Sequence, residues 1–510
     1  MHIDARTLEP GSLIEGDLCI VGAGAAGISL ALEWANRAHR VILLEGGGFD
    51  YHPALQDLYR GEIAGEPYLP METVRLHYFG GTTGHWAGWC SPMERSDFEA
   101  RDWVPNSGWP ITRSDLDPYY ARAHPYLELG PYAYDTAHYE AEDPARRRLP
   151  FDPGMIWSKM WQFSPPTRFG TTYRDAIVAS PNIHLYTYAN ATEIVANDPV
   201  RAVDFLRVKT IDGVEHRVRA RQYVLACSST QNARLLLASN AQASAGLGND
   251  SDAVGRYFME HIEMPGAQLV LNNADPLPLY GMDYTVRRPR AELAIGEEAQ
   301  RRHGVLAGTC SLNPGVFGKE ITSYFTRFRE RLRREAGGEQ VEATSVPPPP
   351  PPPSEEGRTY MLLSRAEQAA NPNSRIVLSR EVDALGMPRA DLHWRFTEQD
   401  KRSIRVFYET LGHEFGRLGL GRVQLLDWLT EGSDTDWPDF LSAGRHHMGT
   451  TRMSDDPKRG VVDARCAVHG VANLHVAGAS VFVTCGAPNP TLTLVALTLR
   501  LSDRLKTLLA

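Results

Sequence analysis

No stretch of this sequence runs for the roughly 20 uncharged apolar residues that a membrane-spanning helix needs. The first residues, MHIDARTLEPGSLIEGD, lack the apolar centre of a secretory signal. Cysteine is scarce and scattered: Cys19, Cys90, Cys227, Cys310, Cys466 and Cys485 include no C-x-x-C pair and no metal-ligand spacing. That argues against a disulfide framework and a structural zinc site, so no metal is expected. The expectation is six reduced thiols in a cytoplasmic protein. Positive charge is also short, with 53 basic against 62 acidic side chains and a net charge of -9. A protein that neutralises phosphate backbones carries the opposite balance, so no nucleic-acid partner is expected. There are no internal repeats.

What the chain does have is length. Its 510 residues, 42% apolar and 23% charged, describe an ordinary globular composition too long for one compact core. Two or three domains, or one with large insertions, are expected. DLCIVGAGAAGISLALEWA (17–35) reads as a strand, a glycine turn and a helix, and RVILLEGGG (40–48) as a second strand. Residues 51–120 read as ordered loops, 183–226 as a run of strands, and TQNARLLLAS as a helix that Asn232 helps to start. A further helix is expected around EQDKRSIRVFYETLGHEFGRL, and a last one in PTLTLVALTLRLSDRLKTLLA with Pro490 in its first turn. A basic helix at 321–340 runs toward seven prolines, Pro347 to Pro353. The prolines favour a polyproline II rod, read here as an exposed linker rather than a partner-docking element.

Gly22-Ala-Gly24-Ala25-Ala26-Gly27 stands between the first strand and the helix. Gly22 allows the tight turn, Gly24 lets backbone approach a pyrophosphate, and Gly27 lets helix and strand pack closely. The N–H groups of the helix start, at Ala25 and Ala26, face the anion. Glu45 ends the next strand 23 positions after Gly22, where a carboxylate binds ribose hydroxyls. A carboxylate there repels a 2′-phosphate, so FAD and NAD both remain open.

Two further stretches narrow the choice: HYFGGTTGHWAGWCSP (77–92), and HHMGTTRM through VVDARCAVHGVANLHVAGASVFVTCGAPNPTLTLVAL (446–497). With the glycine fingerprint they form three blocks in one order, and the chain resembles the glucose–methanol–choline (GMC) oxidoreductases nearly end to end. The resemblance implies an α/β fold: a Rossmann-like FAD-binding domain assembled from 1–120, 185–260 and 440–510, and an α+β substrate-binding domain from 121–184 and 261–439. It implies FAD as cofactor, with Gly80, Gly81, Thr82, Ala479 and Asn489 beside it. His446 matches the catalytic histidine of the family's His-x-x-Gly-Thr pattern, and Asn489 matches its second active-site position. His447 falls at a variable position and reads as packing or lining the pocket. The G-G-T-T-G-H-W run resembles the segment where pyranose oxidase bonds its flavin through histidine. His85 is expected against the flavin ring without a covalent bond, the bond being the alternative.

The implied activity is oxidation of a CH–OH group on a sugar, a polyol or a glycosylated natural product. A neutral imidazole takes the hydroxyl proton and the flavin takes the hydride. Electrons would pass on to oxygen, a quinone or a protein. The alternatives weighed are a non-redox lyase of the hydroxynitrile type, a flavin photoenzyme and a flavin-binding scaffold. Trp89, with Trp86, Trp103 and Trp109, reads as loop core, with sugar stacking the alternative; Trp89 is kept as a pocket candidate. Glu260-His261 reads as capping an element, with the active site as its alternative. One departure stands out: where the family has Ala-Gly-Gly, this chain has Ala226-Cys227-Ser228 followed by Ser229. A small local shift is expected there.

Overall fold

Leu18, Cys19 and Ile20, and Val41 to Leu43, are fully buried, as strands covered on both faces must be. They are the centre of an eight-stranded, mostly parallel sheet in the structure, a computed structural model that describes residues 1–281, 288–315 and 358–510. Leu13–Val21 pairs in parallel with Val41–Leu44 on one side and with Glu215–Leu225 on the other. Ile183–Thr187 and His2–Asp4 extend the first edge in parallel. Val203–Lys209 and Asn190–Ala196 extend the second edge as an antiparallel meander. The short strand Leu474–Val476 returns from far down the chain to pair with Glu215–Leu225.

Helix Ala25–Glu33 lies against the C-terminal helix Thr491–Leu509, which starts directly after Pro490. The latter buries Leu492, Val495, Ala496, Leu499 and Leu505 on one side, the 3.6-residue pattern visible in its sequence. Helix Ser229–Ala238, which packs against Asn190–Ala196, is capped by the Ser228 side chain. Asn232 contributes from one turn inside, accepting a hydrogen bond from the Cys227 N–H at 3.1 Å.

A second, seven-stranded antiparallel sheet runs in the order Gly421–Leu425, Ile262–Leu271, Thr359–Ala366, Gly308–Pro314, Arg290–Ile295, Ile156–Phe163, Trp89–Cys90. Helix Glu398–Arg417 packs across it, started by a reciprocal cap between Thr397 and Asp400. A three-stranded sheet of Arg375–Val382, Pro388–Trp394 and Ile63–Gly65 completes the set. The segment 51–120, read as loops, also carries short helices and the helix Arg113–Ala123, capped by Thr112 and Asp115. The basic helix and the proline run lie outside the described residues. Among the described residues no helix is long and apolar enough to cross a membrane.

Candidate active site

Three separated segments meet at the first glycine turn. A Cβ on Gly27 would stand 1.8 Å from the Gly22 carbonyl oxygen, so the helix sits closer to the strand than any side chain allows. Gly80 donates its N–H to the Ala23 carbonyl at 2.8 Å, and a Cβ on Gly81 would lie 3.3 Å from Gly24 Cα. A Cβ on Gly24 would meet nothing within 4 Å. The space before the helix N-terminus is therefore open, and Gly80 and Gly81 border it, with half-buried Thr82 next in the chain. No side chain caps that helix start, so its first N–H groups are left for an anion. Glu45, buried at the end of its strand, accepts hydrogen bonds from the N–H of Ala23 at 3.0 Å and of Gly47 at 2.8 Å. Burial pushes its carboxyl above the ordinary range.

The Ala226-Cys227-Ser228 departure is absorbed here. Gly22 faces it: a Cβ on Gly22 would come within 2.9 Å of Cys227 Cα. The Cys227 thiol turns away and donates to the Val21 carbonyl at 3.3 Å. Ser229, the next residue, has a second use: its hydroxyl donates to the His447 carbonyl at 2.6 Å, and its own carbonyl accepts from Thr450 Oγ1 at 2.6 Å. Ser229, directly after the residues that replace glycine, thus braces the 446–450 segment.

That segment is braced from a second side. The N–H of Gly449 donates to the Ala479 carbonyl at 3.2 Å and that of Thr451 to the Ser480 carbonyl at 2.8 Å. Half-buried His446 and half-buried Asn489 are brought together, with Asn489 Nδ2 2.9 Å from His446 Nε2. Asn489 Oδ1 is buried and has no partner among the described residues. An orphaned buried acceptor costs about 1–3 kcal/mol, so it marks a place for a donor on a bound molecule.

Glu260 and His261, read from the sequence as a cap, sit at the centre of the site instead. His261 Nδ1 lies 2.9 Å from His446 Nδ1, and His261 Nε2 lies 2.9 Å from the Gly486 carbonyl oxygen. Glu260 Oε1 accepts the backbone N–H of His446. Its Oε2 accepts the Tyr68 hydroxyl at 2.7 Å. No local signal marks Tyr68 or Arg75, and the sequence reading passed over both.

His447 turns the other way from His446 and is 4% exposed. Arg75 Nε donates to its Nδ1 at 3.1 Å, so its Nε2 carries the proton and donates to the Tyr68 oxygen at 2.8 Å. Both ring nitrogens are spent inside the protein, so His447 packs and leaves nothing for a substrate. His446 is held well below the ordinary histidine value, first by burial and then by His261, Arg365, Arg75 and Arg445. Burial pushes Glu260 up to about 7, against the pull of Tyr68 and Arg75.

Trp89 stands on the second sheet beside this cluster, with the Arg290 and Arg365 guanidinium carbons 4.6 and 4.7 Å from its ring centroid. The other tryptophans of the loop spend their ring N–H on the protein: half-buried Trp86 donates to the Thr167 carbonyl, half-buried Trp103 to the Val305 carbonyl and buried Trp109 to Thr484 Oγ1. His85 is half-buried, one residue past the Gly81–Gly84 turn.

The residues present fit a flavin dinucleotide: a glycine cradle open at Gly24, an uncapped helix start, a carboxylate at Glu45 and an orphaned acceptor at Asn489. A family described as GMC oxidoreductase matches residues 370–498. The chain is 27% identical to 6'''-hydroxyparomomycin C oxidase of Streptomyces lividus, over 99% of this chain and 94% of that protein. It is 25% identical to the fructose dehydrogenase large subunit of Gluconobacter japonicus, over 83% of this chain and 79% of that protein. A formate oxidase variant of Aspergillus oryzae RIB40, studied for its FAD modification, superposes with a TM-score of 0.56 at 17% identity, covering 98% of this chain and 99% of that one. The three ordered sequence blocks, the two-sheet fold and these likenesses agree: residues 370–498 match the GMC oxidoreductase family, and the chain as a whole is similar to oxidases and dehydrogenases of alcohols and sugars.

Proposed function

We propose that this chain is an FAD-dependent oxidoreductase that oxidises a CH–OH group of a sugar, a polyol or a glycosylated natural product to the carbonyl. Residues 1–120, 185–260 and 440–510 hold the cofactor and 121–184 with 261–439 cover the substrate. Gly22, Gly24, Ala25, Ala26, Gly27 and Glu45 take the adenosine diphosphate part, and Gly80, Gly81, Thr82, His85 and Ala479 lie along the rest. His85 contacts the flavin without a covalent bond; acid-denatured protein that keeps its yellow colour would overturn that point. The six cysteines are free thiols, which supports a cytoplasmic setting.

The observation that carries the reading is the 2.9 Å contact between His446 Nε2 and Asn489 Nδ2 beside an unpartnered Asn489 Oδ1. Bound FAD supplies the hydride acceptor. The alcohol oxygen enters between the two side chains, replacing their direct bond. Its proton goes to His446 Nε2, while Asn489 Nδ2 donates to the oxygen and fixes the direction of the C–H bond. The free N–H groups at the start of helix Thr491–Leu509, two residues on, favour negative charge nearby. The two relatives named for fructose and for 6'''-hydroxyparomomycin C support a carbohydrate-like substrate.

The test is anaerobic mixing of the yellow protein with a panel of sugars, polyols and glycosides while flavin absorbance is followed. Bleaching by a member of the panel is the expected result and names the class; air or a quinone admitted afterwards identifies the acceptor. Absence of bleaching with every alcohol would overturn the reading. The same assay carries a pH prediction. A base whose value is depressed stays unprotonated to lower pH, so the rate should hold through the ordinary histidine range and fall only well below 6.5. An acid limb near 6.5 would show that the base is solvated in the working enzyme.

A further inference from the structure

We infer that His261 is a positioning residue that holds His446 in the one tautomer its role requires, with the proton on Nδ1 and Nε2 bare. The inference rests on the reading of His446 as the base, but the hydrogen-bond chain behind it does not. That chain starts at the Gly486 carbonyl oxygen, which can only accept. His261 Nε2 lies 2.9 Å from that oxygen, so Nε2 carries a proton. A neutral imidazole has one N–H, which leaves His261 Nδ1 a bare acceptor. His446 Nδ1 lies 2.9 Å from it and must be the donor. His446 Nε2 is then an acceptor, and the group facing it at 2.9 Å is the Asn489 amide nitrogen, a donor. Every step fixes the next, from a backbone oxygen to the atom that is to receive the substrate proton.

The chain holds only while His261 is neutral. A protonated His261 would donate from both nitrogens. His446 Nδ1 would then have to accept and its proton would move to Nε2, filling the base. His261 is fully buried, and burial lowers it to about 4. The charged groups that face it are Arg365, which lowers it further, and Glu263, which opposes; these two are themselves paired at 2.8 Å. His261 adjoins the strand Ile262–Leu271 of the second sheet, whereas His446 stands on the segment braced by Ser229 and Ala479. The contact therefore also sets the base against the sheet that covers it.

The test compares flavin-loaded His261→Asn and His261→Gln. The asparagine carboxamide oxygen takes the place of Nδ1 and accepts from His446. The glutamine carboxamide reaches the place of Nε2 and offers His446 no acceptor. Three readouts are taken: the limiting rate of anaerobic flavin reduction by an alcohol that bleaches the parent, the half-saturating alcohol concentration, and the 15N resonances of the histidines. The glutamine variant is expected to lose about 10–100-fold in limiting rate, with half-saturation nearly unchanged, and to show mixed His446 tautomers. The asparagine variant is expected to stay within about threefold of the parent and to keep the Nδ1–H form. Equal rates and equal His446 resonances in the two variants would overturn the proposal. If neither variant folds, the parent decides alone: a His446 resonance protonated at Nε2 overturns it. A parent in which His446→Ala bleaches at full speed would sink the base reading instead. The 15N spectrum would still report whether His261 holds the ring.

Discussion

Replacing His446 with alanine is expected to slow alcohol-dependent flavin bleaching by about 10²–10⁴-fold, the range by which a positioned base accelerates proton transfer. FAD content and fold are expected to survive. The His446 side chain makes two neutral hydrogen bonds, to His261 and Asn489, each worth about 1 kcal/mol in stability. Its backbone N–H, which anchors the segment to Glu260, is untouched by the substitution. The loss should therefore fall on the rate rather than on cofactor retention or thermal stability. His447→Ala makes the contrast. It leaves the base in place and removes the acceptor of Arg75 and the donor to Tyr68, so it should lower stability more than rate. A His446→Ala protein that bleaches at the parental rate would remove the base from the scheme.

The two histidines also show what kind of information a single sequence carries. The glycine cradle was legible because its chemistry is local: Gly22, Gly24 and Gly27 act within one turn, and the strand before them and helix after them announce themselves by period. Most strands of the first sheet and the C-terminal helix were legible for the same reason, but not the short strands His2–Asp4 and Leu474–Val476. His446 and Asn489 were reached only through family likeness, since nothing in their spacing of 43 positions says that they touch. Glu260 and His261 were visible as residues but not as a site. Their partners stand about 185 positions away in sequence, and the contact exists only once the second sheet folds back over the 446–450 segment. Tyr68 and Arg75 are the extreme case, an ordinary aromatic and an ordinary base in a loop. Only burial reveals them: a cation 8% exposed needs charge and hydrogen-bond partners, and here it finds them in His447 and Glu260. The Ala226-Cys227-Ser228 departure predicts only a small local shift against the family pattern. In the fold Ser228 caps one helix, and Ser229 after it holds the His447 carbonyl.

Removing the Glu260 carboxylate is expected to have the largest effect on stability, about 3–5 kcal/mol for Glu260→Ala in the flavin-loaded protein. Glu260 is fully buried, and its two oxygens accept the Tyr68 hydroxyl and the His446 N–H. The tautomer of His447 leaves Tyr68 no other acceptor, because His447 Nε2 already donates to the Tyr68 oxygen. Alanine thus strands two partly buried donors and takes from the Arg75 cation the carboxylate that favours its charge. Denaturant unfolding measures the sum, and a cost under about 1 kcal/mol would show that the network is not coupled. Tyr68→Phe separates the parts: it removes one donor and one acceptor together, and should cost about 1–2 kcal/mol. Glu260→Leu combined with Arg75→Leu should recover part of the loss of Glu260→Leu alone, because the stranded cation leaves with its partner. Activity should follow a different order. Glu260→Ala frees the His446 backbone and so should slow flavin bleaching as well. The Tyr68→Phe protein, with His446 still anchored to the carboxylate, should keep most of its rate while losing stability. If the two variants lose rate in proportion to stability, Glu260 acts only by holding the fold. If the rate falls for Glu260→Ala alone, the carboxylate is the fixed point from which the base is aimed.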